Sequence, residues 1–384
     1  MVHASAELYG SDRVLMEIAC RLQRDGRYQP VVVLPEQGPL MDALRACNVE
    51  THVAPVAKVS RAALSPAAPL RIPAMLAHAL RALDRIVAGR DVALVHSNTL
   101  AVLGGVIWAR RHRRPHVWHV HEILTRPPFI RAALPRLAAA LSDALVCNSI
   151  STERWLLGVA PRALGRSVVA VNGLGTAPAA DDAAVASFRA AVGAGAGDIV
   201  ATLLGRFNHL KGQQILVRAL ARLRDADVAP QLRVVLAGDV YAGHRDFRAE
   251  CATLVASFGL QSRVSILPFT TDVGPIWRGS DLAVVPSTEP ESFGLVAIEA
   301  MACGLPVVAS AHGGLLDIVE PEVTGVLVPP CDETALANAL ARLAGDTALR
   351  RRMGEAGRAR QLQSFTLDGQ MATLLKVYDR VAGR

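Results

Sequence analysis

The sequence predicts an α/β protein made of two Rossmann-like halves, each a doubly wound parallel sheet. Three observations carry this expectation. Short β-branched runs alternate with longer Ala/Leu/Arg-rich helical segments along the 384 residues. The runs are continuously apolar, as in strands covered on both faces, rather than alternating as in strands with one wet face. One Ala-, Gly-, Asp- and Pro-rich stretch, Thr176 to Asp198, interrupts the pattern and has a set of strands on either side.

In chain order, Met1–Ala4 leaves room for only a very short first strand; either that strand is abbreviated or the coding sequence starts upstream. A helix follows over Asp12–Arg24, with Asp12 able to cap it. Strands are expected at Val31–Leu34, Val92–Val95, Val117–Val120, Ala144–Cys147 and Val168–Val171, with a helix at Pro73–Ala88. The second half repeats the scheme, with strands at Ile199–Leu204, Leu232–Ala237, Val264–Leu267, Leu282–Val285, Pro306–Ala309 and Gly325–Val328. Its helices are expected at Gly212–Arg224, Phe293–Ala302 and Asp332–Leu343. The domains are then 1–172 and 199–364, joined by a linker at 173–198 and followed by a helix at 365–384. In that helix Leu367, Met371, Leu374, Leu375 and Tyr378 recur at helical spacing. Ligands bind beyond the carboxyl ends of such strands, so two facing halves form a cleft.

Composition narrows the function classes. Hydrophobic residues make up 51% and charged residues 20%, enough to build cores and exclude general disorder. The longest uncharged stretch, Val92–Ala109, has His96, Ser97, Asn98 and Thr99 at its centre and reads as strand, loop and helix rather than a membrane span. No secretory signal is visible. The six cysteines form no CxxC pair and no metal-ligand spacing, and read as buried thiols of a cytoplasmic protein. Charge is uneven: residues 1–172 carry 21 Lys+Arg against 12 Asp+Glu, a balance of +9, while 173–384 carry 20 against 22, a balance of −2. The excess points the first half toward an anionic partner or membrane surface. Aromatics at 4% and the absence of a nucleic-acid module argue against nucleic acid.

Chemistry concentrates in a few segments. Pro286-Ser-Thr-Glu-Pro-Glu291-Ser-Phe293-Gly294-Leu295 follows a strand and opens a helix that carries Glu299. Free amides at a helix start suit a phosphate or sugar oxygen, and Glu299 can accept from ribose hydroxyls. Gly205-Arg206-Phe-Asn-His-Leu-Lys211-Gly212 also follows a strand; its two cations can converge on a diphosphate, with Gly205 allowing close backbone approach. Val117-Trp-His-Val-His121-Glu122 ends a first-half strand, where His121 is either a ligand group or a structural histidine and Glu122 can orient the loop.

Glu291-x7-Glu299 with Phe293-Gly294 and Gly304-Leu-Pro-Val-Val, together with Gly-Arg…Lys-Gly, resembles the signature of family 4 retaining glycosyltransferases of the two-domain GT-B fold. The resemblance implies that Glu291 contacts donor-sugar hydroxyls, Glu299 the nucleotide ribose, and the backbone at Phe293, Gly294 and Leu295 the sugar and diphosphate. It implies that Arg206 and Lys211 bind the diphosphate and that His121 meets the donor sugar or its diphosphate. Gly10, Ser11, Asn148, Asn172, Gly238 and Phe269 are candidate cleft positions, though each also suits a scaffold role. The terminal helix then crosses back to the first domain. The expected function is transfer of a sugar from a nucleotide-diphosphate sugar to a glycan or lipid-linked acceptor, in the cytoplasm or at the inner face of its membrane, with no metal and no cofactor beyond the donor. A nucleotide-sugar 2-epimerase and a catalytically silent binding subunit are the alternatives. A dehydrogenase is disfavoured because no GxGxxG follows a first strand. Two basic amphipathic segments, Pro73–Arg90 (with Arg71 beside it) and Arg126–Ala140, fit either core helices or membrane-surface helices.

Overall fold

The computed structural model of the protein describes residues 1–59, 68–240 and 246–384, with side chains in the helix at 68–86 described from residue 72 onward. Contacts divide the chain into two compact units, Met1–Asn172 with Leu367–Arg384, and Gly173–Thr366.

The first unit runs β1 (Val2–His3), α1 (Gly10–Asp25), β2 (Val31–Leu34), α2 (Pro39–Ala46), β3 (Glu50–Val53), α3 (Ala68–Ile86), β4 (Val95–Asn98), α4 (Gly104–Arg111), β5 (His116–Val120), α5 (Pro128–Leu141), β6 (Ala144–Cys147), α6 (Ile150–Val159) and β7 (Ser167–Val169). The second runs α7 (Asp182–Ala191), β8 (Ile199–Leu204), α8 (Gln213–Asp225), β9 (Leu232–Ala237), α9 (Phe247–Ser257), β10 (Val264–Leu267), α10 (Gly274–Arg278), β11 (Leu282–Val285), α11 (Leu295–Ala302), β12 (Val307–Ser310), α12 (Leu315–Ile318), β13 (Gly325–Val328), α13 (Glu333–Gly345) and α14 (Thr347–Ser364). The chain closes with α15 (Leu367–Ala382), which belongs to the first unit.

Both sheets are parallel, with orders β3-β2-β1-β4-β5-β6-β7 and β10-β9-β8-β11-β12-β13. In each, the connections reverse between the unit's first strand and its fourth. That switch point lies between β1 and β4 in the first unit and between β8 and β11 in the second, and loops diverging there leave a crevice. Aliphatic side chains of β8, β9, α8 and α13 form the larger core, including Leu203, Leu216, Leu220, Val234, Leu336 and Leu340.

Several expectations need correction. Residues 173–198, expected as a linker, carry α7, whose Phe188 packs with Val192, Val200, Val235 and Ile276 in the second unit. β4 begins at Val95 rather than Val92, because its ladder with β5 starts there, with Val95 opposite His116. The cysteines are not all thiols: Cys20 in α1 and Cys47 just after α2 form a disulfide. The two helices pack together over Leu15, Ala19, Leu40 and Leu44, which brings together residues separated by 27 positions, a pairing no CxxC search detects. Of the free cysteines, Cys147 and Cys251 are buried and Cys331 is exposed.

Among the described residues, no helix is long and apolar enough to cross a membrane. Part of the apolar stripe of α3 is core packing: Leu83 is buried and Leu80, Ile86 and Val87 pack against the same core, while Met75 and Leu76 are half-buried. The Arg71 side chain lies outside the described residues. On α5, Leu134, Ala138 and Ala139 are buried, whereas Phe129 in its first turn is 58% exposed.

Candidate functional site

In the second unit, the loops after β8 and β11 meet at the switch point. Asn208 organises the first loop: its Oδ1 accepts from the amides of Leu210 and Lys211 at 2.9 and 3.1 Å. Gly212 follows in the left-handed region (φ 72°). A side chain there would meet the Pro286 carbonyl at 2.0 Å, so only glycine lets the two loops touch. Gly238 (φ 149°) packs against the start of the same loop: a Cβ there would lie 2.1 Å from the Gly205 carbonyl. Gly238 is thereby a packing position between β8 and β9.

Across this contact Lys211 Nζ lies 2.8 Å from Glu291 Oε1. The same carboxylate oxygen accepts from the buried Ser287 hydroxyl, and His312 Nε2 lies 2.9 Å from the Ser287 carbonyl. Burial alone pushes the Glu291 carboxyl up; the charge and hydrogen bond of Lys211, with the Ser287 hydroxyl, overrule it and hold the group below the usual carboxylate range. Gly313 and Gly314 lie against this loop, and the Gly314 amide donates to the Glu291 carbonyl at 2.7 Å. The expected Lys211 is therefore present, but its partner here is Glu291. Arg206 sits 8% exposed at the end of β8, and Gln213 Nε2 donates to its backbone carbonyl at 3.0 Å.

Glu291 precedes α11, and the helix opens at Leu295, two residues later than expected. Its first amides have no partner within the helix. Gly294 (φ 134°) makes the turn, and a Cβ there would lie 2.8 Å from the Leu315 side chain. Phe293 offers only its backbone to a ligand: its ring is buried against Phe365, 6.0 Å between centroids. Glu299 is fully buried and accepts from the Trp277 indole at 3.1 Å, a fixed position for its carboxylate rather than an open one. Phe269, after β10, is 39% exposed.

The first unit brings a second set together at its own switch point. His121, 8% exposed beyond the end of β5, has Nε2 2.9 Å from Asn98 Oδ1 at the end of β4. Burial, and the neighbouring His119 ring at 3.9 Å, hold its pKa well below the ordinary histidine value, so the ring is neutral. Glu122 orients the loop: its carboxylate accepts from the amides of Leu100 and His121, both at 3.1 Å, and burial pushes it up to about 7. Asp12 both caps α1, accepting from the Tyr9 amide at 3.1 Å, and holds His3 at 2.6 Å. Gly10 is exposed in the first turn of α1, and the Ser11 carbonyl accepts from Asn98.

Two expected cleft positions are buried in the scaffold. Asn148 accepts from the Thr152 hydroxyl at 2.8 Å near the start of α6, and Asn172 accepts from Gln370 of α15 at 3.0 Å. Sequence reading missed Asn98, Ser287, Asn208 and Gln213. Asn208 and Ser287 carry a signal, being small polar residues just after apolar strands; Asn98 was read only as part of a polar loop. Among the described residues no group of three His, Cys, Asp or Glu side chains is placed to hold a metal ion.

Comparison with known proteins agrees with the two-sheet fold. Residues 186–360 match the family described as glycosyl transferases group 1, and residues 9–177 the family described as glycosyltransferase family 4. A D-inositol 3-phosphate glycosyltransferase of Salinispora arenicola is 42% identical over 183 residues, 47% of this chain and 40% of that protein. One of Stackebrandtia nassauensis is 32% identical over 292 residues, 72% of this chain and 65% of that protein. The matched stretches thus span less than two thirds of these curated relatives. Among solved structures, Anabaena HepE in complex with UDP and glucose superposes with a TM-score of 0.84 at 26% identity, over 98% of each chain.

Proposed function

We propose that this chain, which belongs to glycosyltransferase family 4 and has the GT-B fold, moves a sugar from a nucleotide-diphosphate sugar to an acceptor hydroxyl with retention of configuration. The observation that carries this reading is the Lys211–Glu291 pair between the loops after β8 and β11, close before the amides that open α11.

A diphosphate is a stronger attractor for Lys211 than a single carboxylate, because it brings more charge into a partly desolvated place. In this reading Lys211 turns from Glu291 to the diphosphate and Glu291 is left to accept from donor-sugar hydroxyls. The bond between the anomeric carbon and the diphosphate oxygen breaks, and its electron pair goes to the diphosphate. Arg206 and Lys211 stabilise the charge that develops there, so the chain's own cations serve the role a metal ion fills elsewhere. The acceptor oxygen then bonds to the anomeric carbon from the face the diphosphate leaves and passes its proton to the departing diphosphate oxygen. The neutral His121 ring suits a hydrogen bond to a sugar hydroxyl better than an ion pair with phosphate.

The HepE complex supports a uridine-diphosphate sugar as the first donor to test. For the acceptor, the +9 balance of residues 1–172 supports a lipid-linked glycan presented at an anionic membrane, in synthesis of a cell-surface polymer or glycolipid at its inner face. The relatives named for inositol 3-phosphate favour a second reading, a soluble polyol phosphate. The test incubates the protein, in excess chelator, with uridine-diphosphate sugars and either inositol phosphate or vesicles carrying a polyprenyl-linked glycan, and determines the anomer formed by NMR. An α-linked product from an α-linked donor is expected. Sugar interconversion without acceptor would make the protein an epimerase, and binding without turnover a silent subunit.

A further inference from the structure

The ends of β1, β4 and β5 hold a set of buried polar side chains that this reaction scheme leaves without a task. Asn98, the last residue of β4, is fully buried. Its Nδ2 lies 3.2 Å from the Ser11 carbonyl oxygen and 3.0 Å from His3 Nδ1, and its Oδ1 lies 2.9 Å from His121 Nε2. A carbonyl oxygen can only accept, so the amide must present its NH₂ end to Ser11. That fixes which end is which, a choice that an isolated Asn side chain leaves open. The oxygen end then faces His121 Nε2, and an amide oxygen can only accept there too. The proton of the neutral His121 ring therefore sits on Nε2. Nδ1 is left as a bare lone pair, with no partner among the described residues.

A second pair holds Asn98 in turn. His3 Nε2 donates to Asp12 Oδ1 at 2.6 Å, while the other Asp12 oxygen is engaged by the Tyr9 amide. In the neutral His3 ring Nδ1 accepts from Asn98 Nδ2; in the charged ring it donates to the Asn98 backbone carbonyl, 3.1 Å away. The Ser11 carbonyl sets the orientation of the amide in both cases.

We propose that Asn98 is a positioning residue for His121: it locks the Nε2–H tautomer, so that Nδ1 is the ring's open hydrogen-bonding position and can only accept. Resting on the reading that His121 meets the donor, this assigns the ring to a sugar hydroxyl, which can donate, and away from the diphosphate, which cannot. A histidine of the opposite tautomer would offer a proton at the same place and reverse that preference.

The test is long-range ¹H–¹⁵N correlation NMR on protein labelled with ¹⁵N-histidine, with the His121 signals identified by their loss in His121→Gln. In the wild type His121 shows the pattern of a ring protonated at Nε2. In Asn98→Leu, which keeps the volume and removes the acceptor, that pattern gives way to the Nδ1–H form or a mixture. In Asn98→Asp, which keeps an acceptor oxygen, it persists. Turnover falls roughly 10–100-fold in the Leu variant, the usual scale for losing an orienting partner, with donor KM changing less, and the Asp variant recovers most of it. A wild-type ring protonated at Nδ1 overturns the proposal, and this spectrum decides even if Asn98→Leu does not fold. Retention of the Nε2–H pattern in a folded Leu variant overturns it as well. The spectrum reads the tautomer whether or not sugar is transferred, so failure of the transferase reading is seen separately, in the activity assay.

Discussion

Lys211 and Glu291 come from segments 80 residues apart and share one hydrogen bond of 2.8 Å. The lysine keeps the buried carboxylate ionised, and in the proposed function it exchanges that carboxylate for the donor diphosphate. Arg206→Ala or Lys211→Ala is expected to lower turnover by about 10²–10³-fold, the scale for removing one preorganised donor from a developing negative charge. Steady-state kinetics with a uridine-diphosphate sugar checks this, and wild-type rates in both variants would remove these residues from the mechanism. Lys211→Ala also lets the Glu291 pKa rise, since burial is then opposed chiefly by the Ser287 hydroxyl. At this scale the sequence was legible where charge and glycine spacing carry the information: Arg206, Lys211 and Glu291 all lie in loops that follow apolar strands. It was not legible where a residue acts through its partner. Nothing in the sequence shows that Glu299 is taken up by Trp277, that Phe293 turns toward Phe365, or that Asn98 stands between His3 and His121.

Strand β5 shows how an element can carry both packing and chemistry. All five of its residues, His116 to Val120, are buried, because the sheet is covered on both faces. Its histidines must therefore be neutral. Burial depresses His116 to about 3 and holds His96, His119 and His121 well below their ordinary value. The unfolded chain takes up a proton at each of these sites near pH 6.5 while the folded chain does not, so stability is full above that pH and is lost as pH falls below it. Glu122, raised by burial to about 7, acts in the opposite sense, since the folded state takes up its proton first. Four histidines against one carboxyl leave a net loss with acid, at about 1.4 kcal/mol per pH unit for each unbalanced group. Thermal unfolding of the whole chain at pH 8, 6.5 and 5.5 should show little change between the first two and a marked fall in the third; a flat profile would mean that these rings are solvated. Elements were legible from apolar runs, and most second-unit strands match residue for residue. β3 escaped because it is an edge strand with Glu50 and Val53 exposed and no apolar run to see. α7 escaped because its Ala-rich sequence among Gly and Pro reads as a linker until Phe188 is seen to be buried.

For the molecule as a whole, each unit repeats the 3-2-1-4-5-6 strand order and places its polar residues at its own switch point. This much follows from the alternation of strands and helices and was legible from sequence. The Cys20–Cys47 bond was not, because it depends on how α1 and α2 pack. Charge is the other property of the whole, with +9 over residues 1–172 and −2 over the rest. An exposed Phe129 opens α5 in the same half. Juxtamembrane cations contribute about 1 kcal/mol each at an anionic surface. Co-sedimentation should therefore show binding to anionic vesicles that weakens as salt rises, and negligible binding to neutral ones; equal, negligible binding to both would favour the soluble acceptor. Binding of a nucleotide-diphosphate sugar by the loops after β8 and β11 can be measured by calorimetric titration of uridine-diphosphate sugars into the wild type, Arg206→Ala and Lys211→Ala. The wild type should bind saturably and each variant with at least a roughly tenfold weaker affinity, as expected for the loss of one charged hydrogen bond. Equal affinity in all three proteins would contradict donor binding by these loops.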